Sequence, residues 1–263
     1  MENSVAPDSA MKHRIPVIDR MMDVLSELEI RENGVTIRDL VLQLKLPRTT
    51  VYRILNSLQV HDMVRRDEAG AYHLGRRLLA LASHVAAGAG TYDLIALANR
   101  PLEQLESAIG EGCKLSIIDG DGVLVLAGVQ GRHPYALSVA PGQRLPVHTG
   151  AASKLLLAYL PEAEQQRWLS QPLIAFTPRT VTDPKRLATE LARIKRLGWA
   201  QDRAENAPSI QAFAAPVFDP SGKVVAAISV PFLVGAEASR MEEIRLAVVA
   251  AGKAMSARLS ANA

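Results

Sequence analysis

Apolar residues recur at three- and four-residue spacing through the first part of the chain. They then alternate with polar ones through much of the second part, a pattern that predicts helices followed by a sheet. A first helix is expected to set Met21, Met22, Leu25 and Leu28 against a core. Thr36, with Asp39 three positions on, makes a capping-box-like start in front of Ile37, Leu40, Val41 and Leu44. Pro47 suits the first turn of a third helix. In that helix Val51, Ile54, Leu55 and Leu58 repeat at i, i+3, i+4 and i+7, and Thr49, Tyr52, Arg53 and Asn56 repeat likewise about half a turn round. One face is core, and the other offers hydrogen-bond donors, a cation and an aromatic ring. A recognition helix lying in a DNA major groove needs such a face.

A hairpin is expected next, with arms over 63–66 and 71–74, a turn at 67–70, and Arg65 and Arg66 in the first arm. Successive strand residues point to opposite faces, so one of these arginines is expected to face DNA and the other not. Gly75 closes the small domain. "RRLLALASHVAA" (76–87) resumes helical spacing and is read as a linker helix that "GAG" at 88–90 breaks. A further helix is expected from near Tyr92 to about Ile109. From Cys113 the period becomes that of strands. "CKLSIID" and "GVLVLAGVQG" flank the turn Asp119-Gly120-Asp121-Gly122, and "YALSV" continues the pattern. Helices are expected over 149–159 and 161–169. Another opens at Asp183-Pro184, with Leu187, Leu191, Ile194 and Leu197 on one face and Gly198 at its end. "WAQDRA", "IQAFAAPVF" and "KVVAAISVPFL" read as strands, and 237–259 as a last helix. Strands at both ends of this region with helices between them favour an antiparallel α+β sheet.

Composition narrows the class. The chain has 263 residues, 48% of them apolar, which is enough for two domains with their own cores. No apolar run approaches the length that crosses a bilayer, and the first fifteen residues lack the apolar stretch of a secretory signal. Cys113 is the only cysteine, which excludes an internal disulfide, so a cytoplasmic location and no membrane partner are expected. The net charge of +3 is modest, but its distribution is not even. Between 45 and 66 five cations (Lys45, Arg48, Arg53, Arg65 and Arg66) face Asp62 alone, whereas between 19 and 32 five acids outnumber Arg20 and Arg31. The basic surface therefore belongs to the third helix and the hairpin. The candidate DNA contacts are Lys45, Arg48, Thr49, Thr50, Tyr52, Arg53, Asn56, Arg65 and Arg66.

At "LPRTTVYRILNSL" and "YHLGRRLLALA", and again at "PGQRLPVHTGAASKLLLAYLP", "FTPRTVTDPKRLATELARIKRLGWAQDRAEN" and "FAAPVFDPSGKVVAAISVPF", the chain resembles the isocitrate lyase regulator (IclR) family of bacterial transcription factors. The resemblance implies an α+β protein. In it, a winged helix-turn-helix (16–75) follows a flexible tail (1–15), and a linker helix (76–90) leads to a GAF/PAS-like antiparallel effector-binding domain (91–263). It also implies a dimer or tetramer on a pseudo-palindromic operator. Carried over position by position, the implied effector site is Leu137, Leu145, Ala151, Ala152, Asp202, Ile210 and Ala212. Ser229 on the last strand is added from the residues themselves. Two departures stand out: Ser209 occupies a position that is often Gly in the family, and Ala212 one that is Cys in some members. Small residues at 150–153 would let helix N–H groups approach an anion, which favours a small carboxylate between aliphatic walls.

Other motifs carry less. "TGAASK" lacks the spacing of a phosphate-binding loop, and "DGDG" lacks the closing Glu of a calcium loop, with Gln130 in its place. Ser9 and Lys12 form an S-x-x-K string by chance. The histidines show no pairing with Cys113, so neither a metal nor a cofactor is expected. His148 reads as a structural hydrogen-bonding residue. Two alternatives stay open: an enzyme acting on a small acid, for which His148, Asp202 and Ser153 assemble no convincing nucleophile–base pair, and a constitutive DNA-binding protein whose second domain only oligomerises.

Overall fold

A computed structural model describes residues 15–31, 33–78, 80–81, 94–133 and 135–261. The expected tail lies outside the described residues except for Ile15. Of the expected linker helix, residues 77, 78, 80 and 81 are helical and 76 is a turn, while 79 and 82–90, with the expected helix start near Tyr92, also lie outside them. The chain divides into two compact units, Met1–Thr91 and Tyr92–Ala263.

The first unit contains α1 (Pro16–Glu29), α2 (Ile37–Leu44), α3 (Arg48–Val60), β1 (Val64–Arg66) and β2 (Tyr72–Leu74). α1 buries Val24, Leu25 and Leu28, while Met22 is 52% exposed, contrary to expectation. Met22 lies roughly 60–120° round the helix from Leu25, Met21 and Leu28, on the solvent side of that stripe, and Val24 flanks the stripe on its other side. The capping box forms at α2, where the Asp39 amide donates to Thr36 Oγ1 (3.3 Å) and the Thr36 amide to Asp39 Oδ2 (3.4 Å). Lys45 then turns the chain in the left-handed region (φ 52°). Pro47 stands at the N-cap of α3 and not within its first turn. All four apolar residues expected to face the core from α3 are buried: Val51, Ile54, Leu55 and Leu58. Each such side chain stabilises the fold by about 1.5–3 kcal/mol relative to exposure. β1 and β2 pair antiparallel, with Arg65 opposite His73.

The second unit contains α4 (Leu94–Ile109), β3 (Cys113–Asp119), β4 (Gly122–Val129), β5 (Arg144–Leu145), α5 (Ala151–Tyr159), α6 (Glu162–Leu169), α7 (Pro184–Leu197), β6 (Ala200–Arg203), β7 (Ile210–Phe218), β8 (Val224–Leu233) and α8 (Ala238–Ala261). The strands form one sheet in the order β5-β4-β3-β8-β7-β6, antiparallel throughout. The expected "YALSV" strand does not form. The side-chain amide of Gln130 takes the place of a partner strand, donating to the Val139 carbonyl (2.5 Å) and accepting from its amide (3.1 Å). Leu197 is 39% exposed because it ends α7 well round the helix from Leu187, Leu191 and Ile194. Asp183 caps α7 by accepting from the amides of Lys185 and Arg186, and Gly198 ends it at φ 73°. Among the described residues no helix is long and apolar enough to cross a membrane.

Alternation splits the sheet into two cores. Cys113, Leu115, Phe213, Ala215, Ile228 and Phe232 meet α4 and α8 on one face. Ala200, Ala212, Ala214 and Ala227 meet α5 and α7 on the other. On the first face α8 comes so close that a Cβ at Gly252 would lie 2.8 Å from the Pro216 carbonyl oxygen. Cys113 is fully buried there and its thiol donates to the Leu102 carbonyl. Burial pushes this thiol up to about 12, so it is almost wholly protonated at pH 8 and does not act as a nucleophile. A disulfide-exchange titration at pH 8 should therefore find no reactive thiol in the native protein and one equivalent after denaturation. Rapid stoichiometric labelling of the native protein would contradict this packing.

Candidate functional site

Two places in the chain concentrate polar chemistry. In the first unit, packing of Val51, Ile54, Leu55 and Leu58 turns the opposite side of α3 outward. Arg48, Thr49, Tyr52 and Arg53 are exposed there, Lys45 is exposed just before the helix, and Thr50 and Asn56 are half-buried. Tyr52 is 52% exposed, so its ring does not pack beneath the hairpin. Thr49, Thr50 and Arg53 line a groove of about 410 Å³ that Arg20, Val17 and Met21 of α1 complete. No salt bridge engages Arg48, Arg53 or Arg65 among the described residues.

The hairpin is tied by its own polar groups. Asp67 accepts from the Ala71 amide (2.8 Å) and lies 2.8 Å from His73 Nε2. These bonds, that to His73 foremost, hold its carboxyl below the usual range. Both Arg65 and Arg66 are exposed, since a two-stranded ribbon leaves much of its surface uncovered. They nevertheless differ. Arg66 lies 5.5 Å from the Tyr72 ring centre and donates to the Gly70 carbonyl, while Arg65 makes no such contact.

In the second unit, the α5-covered face of the sheet gathers most of the residues carried over from the family resemblance. Asp202 on β6 is the register partner of Ala212 on β7, and Ser229 on β8 lies between Ala214 and Lys114. Ala151 and Ala152 open α5 in the same core, with Leu145 of β5 at its margin. Gly150, at φ 88°, caps this helix without any side-chain bond, so its first amides keep no intrahelical acceptor. Ile210 shares the face of Ala212 by alternation but sits half-buried at the start of β7. Leu137 sits half-buried in the loop that Gln130 holds, and neither residue belongs to that core. His148 bonds the Ile174 carbonyl (2.9 Å) and lies 5.9 Å from the Phe176 ring, an arrangement that pins a loop.

No sequence pattern marks the charges beneath this face. Lys154 of α5 is wholly buried, and its ammonium donates to Glu190 of α7 (2.5 Å) and to Glu205 after β6 (2.6 Å). The Glu205 amide in turn donates to Asp202 Oδ1 (2.7 Å). Burial pushes both the Asp202 and the Glu205 carboxyls above their usual range, and Lys154 partly opposes this in each. Lys114, on β3 beside Ser229, has its ammonium pulled down by burial, with the Asp202 charge opposing. A lysine in a helix or strand reads as solvated by default. The only local hint was that Lys114 and Ser116 fall on the alternate positions of a strand whose other positions are apolar.

Residues 87–260 match the family described as "Bacterial transcriptional regulator IclR C-terminal", and residues 17–68 match the "IclR helix-turn-helix domain". The chain belongs to the IclR family. It is a transcriptional regulator with a helix-turn-helix domain followed by an IclR-type effector domain. Among its IclR-family relatives, the protein named "Probable transcriptional regulator SauR" of Cupriavidus necator is 34% identical over 80% of this chain and 83% of its own length. The regulator BhcR of Paracoccus denitrificans is 30% identical over 89% of this chain and 82% of its own. The IclR structure from Thermotoga maritima superposes with a TM-score of 0.75 at 22% identity, over 94% of this chain and all of that one, which supports the fold alone. An IclR homologue of Microbacterium hydrocarbonoxydans, solved with 4-hydroxybenzoate, superposes with a TM-score of 0.73 at 25% identity, over 93% of this chain and 99% of that one.

The buried IclR-domain ion cluster makes a direct prediction. Removing the cation leaves two carboxylates in a desolvated pocket, so Lys154→Met should destabilise the second unit by about 3–5 kcal/mol. Denaturant unfolding followed by circular dichroism measures this. Wild-type stability in the variant would mean that the cluster is not closed to water.

Proposed function

We propose that this protein binds a pseudo-palindromic operator as a dimer or tetramer and releases or tightens its grip when a small organic acid occupies the second unit. The observation that carries the reading is the division of α3: four apolar residues fill the core, and Arg53, Thr49, Tyr52 and Asn56 occupy the outward side. In this reading α3 lies in the major groove, with Arg53 and Asn56 toward base edges. Lys45, Arg48, Thr50 and the hairpin arginines neutralise or bond phosphates. Arg65 is the freer of the two hairpin arginines and is assigned the closer contact. The winged region (16–75) supplies affinity and the region 91–263 supplies response.

The effector site assigned to Asp202, Ala212, Ser229, Ala151, Ala152, Leu137, Leu145 and Ile210 acts by binding and not by turnover. Its titratable groups are committed to one another: Glu205 to Lys154, and Asp202 to the Glu205 amide. No nucleophile–base pair emerges from His148, which is bonded to a backbone carbonyl. Among the described residues no group of three His, Cys, Asp or Glu side chains is placed to hold a metal. The IclR homologue solved with 4-hydroxybenzoate supports small-molecule sensing. Coupling between such a site and DNA is typically about 1–3 kcal/mol, or roughly 5–150-fold in affinity.

Fluorescence anisotropy on the promoter fragment upstream of the gene tests the reading. Arg53→Ala should weaken specific binding by about 1–3 kcal/mol, whereas Lys45→Ala should weaken all duplexes alike and reduce the salt slope by about 1. Failure of the intact protein to bind that fragment at low ionic strength would remove the proposal.

A further inference from the structure

Four buried hydroxyls at the α5-covered face have no hydrogen-bond partner among the described residues. They belong to Ser116 and Ser229 on adjacent strands and to Thr149 and Ser153 at the start of α5, none more than 1% exposed. Leaving a buried donor or acceptor unpaired costs about 1–3 kcal/mol each, so a group of four implies partners that come from outside the chain. Their placement follows from register and alternation. Ser229 pairs with Lys114, and Ser116 pairs with Ala227, which belongs to the core beneath α5. Cys113 and Leu115, at the intervening positions, belong to the opposite core. α5 lies across β3, β8, β7 and β6, which brings Thr149 and Ser153 over the same strands.

Lys114 is the register partner of Ser229 and shares the face of Ser116 two residues on. It makes no salt bridge among the described residues, and the Asp202 charge is the one that steadies its ammonium against burial. Glu190 and Glu205 are engaged by Lys154, although Glu205 Oε2 has no hydrogen-bond partner among the described residues. The floor beside it is alanine (Ala200, Ala212 and Ala214); Phe213 and Phe232 face the other core, and Phe218, at the end of β7, packs edge-on against Tyr159 at the far end of α5. Around Lys114 this face therefore offers a cation without a salt bridge, four unpaired hydroxyls and alanines in place of a stacking ring, with the unpaired Glu205 Oε2 as a further acceptor.

We propose that Lys114 binds the effector's carboxylate, and that the effector is a short hydroxy- or oxo-acid whose remaining oxygens pair with Ser116, Ser229, Thr149 and Ser153. The inference rests on the effector-site reading above and deepens it. The first amides of α5 add the N-terminal end of a helix dipole on the same side, so the negative charge meets two favourable fields. Asp202 is then placed to accept from a ligand hydroxyl. An aromatic acid satisfies Lys114 but carries no oxygen next to its carboxylate: benzoate has none beyond the carboxylate, and 4-hydroxybenzoate holds its hydroxyl at the far side of the ring. A neutral polyol satisfies the hydroxyls but leaves the ammonium uncompensated.

Isothermal titration calorimetry on the full-length protein tests this with glycolate, lactate, glycerate, pyruvate and tartrate, against lactamide, pyruvamide, benzoate and 4-hydroxybenzoate. At least one hydroxy- or oxo-acid should bind, with its amide about 10- to 100-fold weaker, as expected for loss of a charge-assisted hydrogen bond. Lys114→Met should show a similar loss for the acid, Lys114→Arg should retain most of the affinity, and both should bind promoter DNA as the wild type does without ligand. The acid–amide comparison on the unaltered protein keeps the test valid if Lys114→Met fails to fold. Tightest binding of 4-hydroxybenzoate, no heat from any hydroxy- or oxo-acid, or unchanged acid affinity in Lys114→Met overturns the assignment. In each of those cases, a ligand that still changes DNA affinity leaves the regulator reading intact. Absence of DNA binding by the wild type is the separate result that defeats that reading.

Discussion

The arrangement of the second unit depends on a lysine ammonium placed where water cannot reach it. Lys154 is held by Glu190 from one helix and Glu205 from the end of a strand. Burying such charges costs several kcal/mol each, and only close, well-directed bonding offsets the cost. Loosening any one of α5, α7 or the turn after β6 would expose or orphan charge, so the three elements are held in one mutual placement. The Glu205 amide extends the constraint to Asp202, which fixes a carboxylate at the edge of the polar face. The cluster thus sets the height of the α5 terminus above the sheet and, with it, the size of whatever the face can admit.

A simpler rule governs the first unit. α3 spends its entire inward side on four aliphatic residues, so that its outward residues are displayed on a rigid rod. The capping box before α2 and the left-handed Lys45 after it fix where that rod begins. The hairpin that follows has little core of its own beyond Val64 and Tyr72, and its turn is kept by Asp67, His73 and Arg66 bonding one another or the backbone.

Much of this was legible from spacing alone. The helices of the first unit, the Asp119–Gly122 hairpin turn and the long strands β7 and β8 follow from periodicity and turn chemistry, because local pattern and tertiary burial agree there. Errors fell where they part. Met22 and Leu197 are apolar yet lie off the buried stripe, and "YALSV" alternates like a strand but finds a glutamine side chain in place of a neighbouring strand. The candidate site was read only in outline. Asp202, Ala212, Ala151 and Ser229 came from resemblance and chain order, whereas Lys114, Lys154, Glu190 and Glu205 resisted because nothing in one dimension distinguishes a buried ion from a solvated one. Their roles depend on which strands become neighbours, and β3 meets β8 across more than a hundred residues of chain.

β3 also carries two independent messages. Its odd-numbered residues Cys113, Leu115 and Ile117 belong to the core with α4 and α8, while Lys114 and Ser116 look the other way. Exchanging one set leaves the other undisturbed. On the proposed effector assignment, a lineage built on this scaffold is free to alter which molecule it recognises through two positions of one strand, without renegotiating the folding of the domain.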